Sequence, residues 1–134
     1  MIKNEKIKIV LQTLLDKKAT DIKIFNVKKN SDMWDYIVIC TALSAPHIKS
    51  LFDYLTETME KDGYKIFYKD FGNFKNWVAL DLGDMLIHIF DRETRIYYAI
   101  EKLWGEKEEK INKFIKIKKT NKEEKKNVYK NKIK

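Results

Sequence analysis

Apolar side chains recur at two different spacings along the chain, and each spacing predicts a different kind of element. Residues 4–18 are predicted to form a helix, because apolar positions recur three or four residues apart: Ile7, Val10, Leu11, Leu14 and Leu15. Apolar and polar residues alternate over 21–27, which predicts a half-buried strand. The run YIVIC within residues 34–41 is unbroken and rich in β-branched side chains, so it predicts a central strand covered on both faces.

A second helix is predicted between two signals for helix ends. Ser44 is a candidate N-cap, and Pro46 falls in the first turn, where its missing N–H costs little. Gly63 is the residue at which this helix is expected to end. Residues 64–69 alternate again and predict a third strand.

The next stretch predicts a β-hairpin. Residues 76–82 alternate, with Trp77 and Asp81 on the same face of the strand. The Gly83-Asp84 pair separates this strand from a second apolar run at 85–90, which is the pattern of two antiparallel strands joined by a tight turn.

A last helix is predicted to follow the hairpin. Asp91 is a candidate N-cap, and Gly105 is the expected end. Four apolar residues between them recur at helical spacing and predict one buried stripe: Ile96, Ile100, Leu103 and Trp104. The complete pattern predicts an α+β fold with α/β character, in which helices flank a single mixed five-stranded sheet.

The positive charge of the chain is concentrated near its C-terminus. The formal net charge is +8, but residues 105–134 hold 12 Lys against 5 Glu, whereas residues 1–104 hold 16 Lys and Arg against 15 acidic residues. We predict one folded domain over 1–105 and a basic Lys-rich tail over 106–134 that is partly helical or disordered. A cut after residue 105 is therefore expected to leave the fold intact.

The composition favours a globular domain and argues against a membrane span or a disulfide-rich domain. Hydrophobic residues make up 44% of the chain, which suits a globular domain, and no run approaches the roughly 20 apolar residues of a membrane span. One cysteine excludes an internal disulfide framework. These features suit a cytoplasmic protein.

The chain offers few residues for catalysis or metal binding. Two histidines and the single Cys40 do not make a zinc site, and His88 lies on an apolar strand where a structural role is expected. Asp81 and Asp84 could hold a divalent cation for phosphoryl transfer, or Asp84 could shape the turn while Asp81 faces solvent. No Walker, G-x-S-x-G or H-E-x-x-H pattern occurs, so we expect no catalytic residue, cofactor or metal. Trp77 is either an interface anchor beside the carboxylates or a core residue.

Three runs of the chain together resemble the Iojap, or ribosomal silencing factor (RsfS), family. They are DYIVICTALSAPHIKSL, NWVALDLGDMLIHIF and TRIYYAIEKLWG. The hairpin pattern of that family is matched at Trp77, Asp81, Gly83, Asp84 and His88. The pattern of its last helix is matched at Arg95, Tyr98, Glu101, Leu103 and Trp104. The resemblance covers about residues 5–105, and the basic tail lies outside it.

The resemblance implies a fold related to nucleotidyltransferases but without their catalytic signature. It implies that the protein is not an enzyme and binds the large ribosomal subunit through ribosomal protein fourteen of that subunit. Binding there would block joining of the small subunit and repress translation under nutrient limitation, and the free protein would form a homodimer. The matched residues expected to bind the partner are Trp77, Asp81, Asp84, His88, Tyr98, Glu101 and Trp104.

Two other functions stay open at this point. A nucleotidyltransferase-type enzyme would use Asp81 and Asp84 as metal ligands. An RNA-binding ribosome biogenesis factor would use the lysines of the tail, which could also contact rRNA in a silencing factor.

Overall fold

A computed structural model of the chain describes residues 2–70 and 76–117. The predicted basic tail lies outside these residues from residue 118 onward. The described part forms one mixed sheet with helices on both faces. Its helices and strands, in chain order, are α1 (Ile2–Asp16), β1 (Thr20–Asn26), β2 (Tyr36–Ala42), α2 (Ala45–Lys61), β3 (Tyr68–Asp70), β4 (Trp77–Asp81), β5 (Met85–Asp91), α3 (Arg92–Tyr98), a 3-10 helix (Ile100–Lys107), β6 (Glu108–Glu109) and a short 3-10 helix (Ile111–Lys113).

The sheet has the strand order β3-β4-β5-β2-β1-β6. Strands β2 and β5 are parallel, and the other neighbouring pairs are antiparallel. The α+β class with a mixed sheet is therefore confirmed, but there are six strands and not five. The parallel partner of β2 is β5, so the chain that leaves β2 passes through α2 and then through β3 and β4, on the far side of β5, before β5 pairs with β2.

Strand β2 is the centre of the molecule, as its apolar run predicts. All seven of its residues are buried. One of its faces, through Val38 and Cys40, joins the main core beneath α1 and α2. The other, through Ile37 and Ile39, joins a smaller apolar cluster with Phe25, Val27 and Phe90. Burial raises the pKa of the Cys40 thiol to about 12, partly offset by the charge of Arg95, so this cysteine is a buried hydrophobe and not a nucleophile.

The predicted helix signals at Ser44, Gly63 and Asp91 are confirmed. The Ser44 hydroxyl accepts a hydrogen bond from the backbone N–H of His47 at 3.2 Å, and the Asp91 carboxylate accepts one from that of Thr94 at 2.8 Å. Gly63, two residues after the end of α2, has a φ of 87°. Each signal acts within a few residues, which is why the sequence alone reveals it.

The predicted third strand at 64–69 is mostly irregular. Only Tyr68–Asp70 pairs with the rest of the sheet, as the edge strand β3 beside β4. All three of its residues are exposed. The alternating pattern therefore marks a segment with one apolar side, of which Tyr64 and Ile66 pack against the main core without strand pairing.

The single helix predicted from Asp91 to Gly105 is wrong. Helix α3 ends at Tyr98, because Ala99 adopts a left-handed conformation with a φ of 49°, and a separate 3-10 helix follows. This break rotates the second half of the segment relative to the first. Ile96 and Leu103 of the predicted stripe are consequently 67% and 74% exposed, whereas Ile100 and Trp104 pack on the smaller apolar cluster.

The folded body continues past Gly105, where a tail was predicted to begin. Strand β6 pairs with β1 through Ile24 and Phe25, and Phe114 and Ile115 are each only 8% exposed in the main core. The ring of Phe114 meets that of Tyr36 edge-on, with centroids 5.8 Å apart. We call residues 108–115 the C-terminal strap. No helix in the described part of the chain is long and apolar enough to cross a membrane.

Because the strap is part of the folded body, a cut after residue 105 is expected to destabilise the fold and not to leave it intact. That truncation removes two buried apolar side chains and the pairing of β6, so we expect it to lower the free energy of unfolding by about 3 kcal/mol or more. Urea unfolding followed by circular dichroism measures the change. The matched control is a chain cut after Ile117, which keeps the strap and should unfold like the full-length protein. Equal stability of the two truncated chains would contradict a structural role for the strap.

Candidate functional site

The two faces of the sheet are covered to different extents. Helices α1 and α2 pack over one face and bury the main core against it. On the other face the 3-10 helix Ile100–Lys107 lies over β1, while the part formed by β4 and β5 remains partly open. We call this open part the aromatic face and define it by seven residues, none of them fully buried: Trp34, Trp77, Ala79, Asp81, Leu86, His88 and Tyr98.

Trp77 lies at the centre of the rings on this face. Its centroid is 4.7 Å from that of Phe90, 5.1 Å from that of Tyr98 and 5.8 Å from that of His88. The indole Nε1–H donates a hydrogen bond to Nδ1 of His88 at 3.1 Å. Trp77 is half-buried: it packs on the buried Phe90 and still reaches the surface. Trp77 therefore packs against the smaller apolar cluster with one part of its ring and remains accessible at the surface with another.

Trp34 and Asp81 join the loop after β1 to the hairpin. The Trp34 Nε1–H donates to Oδ1 of Asp81 at 3.2 Å, and the same oxygen accepts the backbone N–H of Gly83 at 2.8 Å. Gly83 has a φ of 96°, a conformation that favours glycine at this turn. Asp81 is therefore half-buried and bonded within the chain, in contrast to the expectation that it faces solvent.

Asp84 lies at the edge of the aromatic face and is paired with α1. The Lys6 ammonium donates to Oδ1 of Asp84 at 2.9 Å and to the carbonyl of Leu82 at 2.7 Å. Beside this pair is a shallow depression lined by Trp34, Phe67 and the two carboxylates of Asp81 and Asp84. Among the described residues, no group of three or more acidic, His or Cys side chains is arranged to hold a metal ion.

Glu101 belongs to a different part of the molecule. Its carboxylate accepts hydrogen bonds from Nε of the buried Arg95 at 2.6 Å and from Lys23 of β1 at 3.3 Å. The bonds from Arg95 hold the pKa of Glu101 below its ordinary value, an effect that burial partly opposes. Arg95 also donates to the backbone carbonyl of Asp21 and to the Thr41 hydroxyl, each at 2.7 Å. This network fixes the turn between α3 and the 3-10 helix.

The seven residues predicted to bind a partner therefore do not form one group. Trp77, Asp81, His88 and Tyr98 lie together on the aromatic face, and Asp84 lies at its edge. Trp104 packs over the smaller apolar cluster, and Glu101 pairs with Lys23 of β1, three strands from β4.

Sequence reasoning missed Trp34 and Leu86 on the aromatic face. The sequence pattern places Trp34 at the start of the central strand segment 34–41, although the polar run at 28–32 just before it indicates a loop near the surface. The sequence pattern places Leu86 only within the apolar run of the hairpin. Alternation places it beside Asp81 in the register of β4 and β5, on the open side of the sheet.

His88 is half-buried on the aromatic face, and its burial displaces the pKa of its side chain. Burial lowers the pKa of its imidazole from 6.5 to about 4. The ring is therefore neutral near pH 7, and its Nδ1 can accept the hydrogen bond from Trp77. The remaining proton lies on Nε2 in this arrangement.

This lowered pKa predicts a loss of stability in mild acid. Between about pH 6.5 and pH 4 the unfolded chain binds a proton at this histidine and the folded chain does not, so folding becomes less favourable as the pH falls. We expect the wild type to lose about 2 kcal/mol more than His88→Asn between pH 7 and pH 5. Urea unfolding at the two pH values measures this difference. Equal losses in the two proteins would show that His88 is not protected from protonation.

The sequence is similar to those of known proteins. A family model described as ribosomal silencing factor during starvation matches residues 2–134, and thus includes the strap and the basic tail. A Haemophilus influenzae protein named ribosomal silencing factor RsfS is 34% identical over 99 residues, which cover 74% of this chain and 97% of the relative. A protein of the same name from Halalkalibacterium halodurans is 30% identical over 106 residues, covering 79% of this chain and 91% of the relative.

The fold is also similar to solved structures. A crystal structure from Chromobacterium violaceum superposes with a TM-score of 0.72 at 28% identity, covering 75% of this chain and 84% of the other. One from Bacillus halodurans has a TM-score of 0.68 at 30% identity, with coverages of 75% and 93%. Since the family model spans nearly the whole chain and the relatives match along most of their length, the chain belongs to the ribosomal silencing factor (RsfS, Iojap) family, a family of ribosome regulators and not of enzymes.

Proposed function

We propose that this protein binds the large ribosomal subunit, blocks joining of the small subunit and thereby represses translation when nutrients are limiting. The proposed contact is ribosomal protein fourteen of the large subunit. Membership of the ribosomal silencing factor family supports the proposal. The observation that carries it on this chain is the aromatic face, where Trp34, Trp77, Leu86 and Tyr98 all remain partly accessible at one end of the sheet.

A factor that acts by occupying a surface needs an interface and no reaction centre. A specific interface buries about 800 Å² on each partner, and its centre is enriched in aromatic side chains. The aromatic face offers such a centre on a rigid support, because its rings lie on paired strands over the buried Phe90. The bound protein would then exclude the small subunit by its volume.

Charge is proposed to orient the complex. The carboxylates of Asp81 and Asp84 lie next to Trp34 in the depression at the edge of the aromatic face. A basic patch on the partner would be attracted to this edge, which raises the rate of association more than the final affinity. Lys6 neutralises part of this charge through its pair with Asp84, so the aromatic rings and not the carboxylates are expected to supply most of the binding energy.

Nothing in the described part of the chain favours the enzymatic alternative. Oδ1 of Asp81 is bonded to Trp34 and Gly83, and Oδ1 of Asp84 is paired with Lys6. Both carboxylates are thus engaged in holding the hairpin and the adjoining loop. They are better explained as parts of a surface than as the ligands of a metal ion.

The basic residues after the strap are proposed to contact rRNA near the protein-binding site. Residues 118–134 contain 8 Lys and 2 Glu, and they begin three residues after the strap ends at Ile115. Lysines near a phosphate backbone release counterions on binding, which makes affinity fall as salt rises. In this proposal the aromatic face provides specificity, and the tail adds a salt-dependent attraction.

The mechanism predicts that the purified protein reduces the rejoining of separated ribosomal subunits. Trp77→Ala should weaken binding to large subunits by about 2 kcal/mol or more if Trp77 is a central anchor, and should weaken the block in proportion. Tyr54→Ala is the matched control, since Tyr54 is a partly exposed aromatic on α2, on the opposite side of the sheet. Gradient sedimentation of subunit mixtures measures both effects. Because Trp77 also packs on Phe90, binding is compared at equal concentrations of folded protein.

Unchanged rejoining at saturating wild-type protein would refute the blocking mechanism. Equal effects of the Trp77 and Tyr54 changes would refute the role of the aromatic face.

The tail proposal predicts a change in salt dependence without a change in stability. A chain cut after Ile117 loses 8 Lys and 2 Glu but keeps the strap. We expect its affinity for large subunits to fall less steeply than that of the full chain as salt rises from about 50 to 200 mM. Co-sedimentation at several salt concentrations gives the two slopes. Identical slopes would mean that the tail makes no contact with phosphate.

A further inference from the structure

The two tryptophans of the aromatic face share a feature that the proposed function does not use. Each indole N–H is already donated to a side chain of the same protein. Trp34 donates to Oδ1 of Asp81 at 3.2 Å, and Trp77 donates to Nδ1 of His88 at 3.1 Å. Neither N–H is therefore left for a partner, and what each ring can still offer is its carbon surface.

We propose that Asp81 and His88 are positioning residues of the partner-binding face: they hold the indole rings of Trp34 and Trp77 by their N–H groups, so that a protein partner meets only the apolar surface of the rings. This inference rests on the proposed function and assigns roles within the same site. It differs from the expectation that Asp81 and His88 touch the partner themselves.

The bonds of Asp81 show why its carboxylate acts within the chain. Its Oδ1 accepts two hydrogen bonds, from Trp34 and from the backbone of Gly83. Trp34 precedes Asp35, whose backbone N–H donates to the carbonyl of Asp84 at 2.8 Å, so the loop and the hairpin turn are joined at two points. The carboxylate thus fixes both the turn and the indole ring that lies against it.

His88 holds Trp77 in a similar way from within the sheet. Ala79 faces His88 across the β4–β5 pair, and this small side chain leaves room for the imidazole between Trp77 and Asp81 on the same face. The rings of Phe90 and Tyr98, at 4.7 and 5.1 Å, restrict the indole further. Trp77 is consequently ordered before binding, which removes the entropy cost of ordering it at an interface.

This arrangement defines the chemistry of the partner surface. Ring faces attract aliphatic side chains by burial of apolar area and attract Arg or Lys by cation–π interaction. Acceptors aimed at the indole nitrogens would find those donors already bonded. The partner segment that fits is therefore a protein surface rich in aliphatic and basic side chains.

The test distinguishes the effect of losing the hydrogen-bond acceptor at each position from the effect of losing the charge of Asp81. Asp81→Asn keeps an Oδ1 acceptor and removes the charge, whereas Asp81→Leu removes both at similar size. His88→Asn likewise keeps an acceptor near the position of Nδ1, and His88→Leu does not. Two quantities are measured for each variant: the hydrogen-exchange rate of each indole N–H by NMR in the free protein, and the affinity for purified large ribosomal subunits by co-sedimentation.

We expect both Asn variants to keep slow exchange at the matching indole and to bind within about threefold of the wild type. Both Leu variants should exchange faster at that indole alone and bind about tenfold or more weakly. A loss in Asp81→Asn as large as that in Asp81→Leu would overturn the inference, since the partner would then be reading the charge. Leu variants with fast exchange and normal affinity would overturn it as well.

The Asn variants decide the matter even if a Leu variant fails to fold, because a large loss of affinity in a folded Asn variant already contradicts the positioning role. Failure of the proposed function looks different. In that case the wild type itself does not bind large subunits, which overturns the proposed function and, with it, the role of the two acceptors in binding. Indole exchange in the free protein still shows whether the two hydrogen bonds hold the rings.

Discussion

The hydrogen bonds of the buried Arg95 guanidinium are the interactions on which the shape of the aromatic face depends. It joins three elements at once, through the Asp21 carbonyl of β1, the Thr41 hydroxyl of β2 and the Glu101 carboxylate of the 3-10 helix. Removing one member of such a buried network leaves an uncompensated charge, which typically costs about 3 to 5 kcal/mol. The network therefore fixes where the chain runs after β5, and so decides how much of the sheet that segment covers.

The left-handed residue Ala99 makes this geometry possible. It reverses the local path between α3 and the 3-10 helix, so that Arg95 and Glu101 meet across the break. The 3-10 helix then lies over β1 and brings Trp104 onto the smaller apolar cluster. A continuous helix from Asp91 to Gly105 would instead have placed the four predicted apolar residues on one side of a single helix. The broken path leaves β4 and β5 partly open and keeps Tyr98 against Trp77.

The parts of the fold that the sequence predicts are those determined by local patterns. The β-branched run of β2, the hairpin at Gly83 and the caps at Ser44 and Asp91 each depend on a few neighbouring residues, and all are present. The missed features depend on contacts between distant residues. The break at Ala99 is stabilised by Arg95 reaching β1 and β2, and the strap is held by Phe114 against Tyr36, which lies far away in sequence.

The same distinction applies to the site. Alternation places Trp77 and Asp81 on one face from sequence alone, and the register confirms it. The acceptors of the indole N–H groups could not be predicted. The bond from Trp34 to Asp81 connects residues 47 positions apart, and the Trp77–His88 bond requires the exact pairing of β4 with β5. Periodicity predicts the side of the sheet on which a side chain lies, but it does not predict which distant side chain accepts its hydrogen bond.

The positions of the strap and of the aromatic face relate the two proposed contacts to one another. The strap begins at the β6 edge, where it pairs with β1, but its end lies near the middle of the sheet, where Phe114 packs on Tyr36 of β2. The backbone N–H of Tyr36 donates to the carbonyl of Asp84 at 3.2 Å, so the end of the strap lies close to the hairpin turn. A protein surface bound at the aromatic face and rRNA bound by the residues after the strap would form two linked contacts on one rigid body, and linking contacts in this way raises the effective concentration of the second. The buried Phe114 and Ile115 are what make that linkage rigid up to the point where the lysines begin.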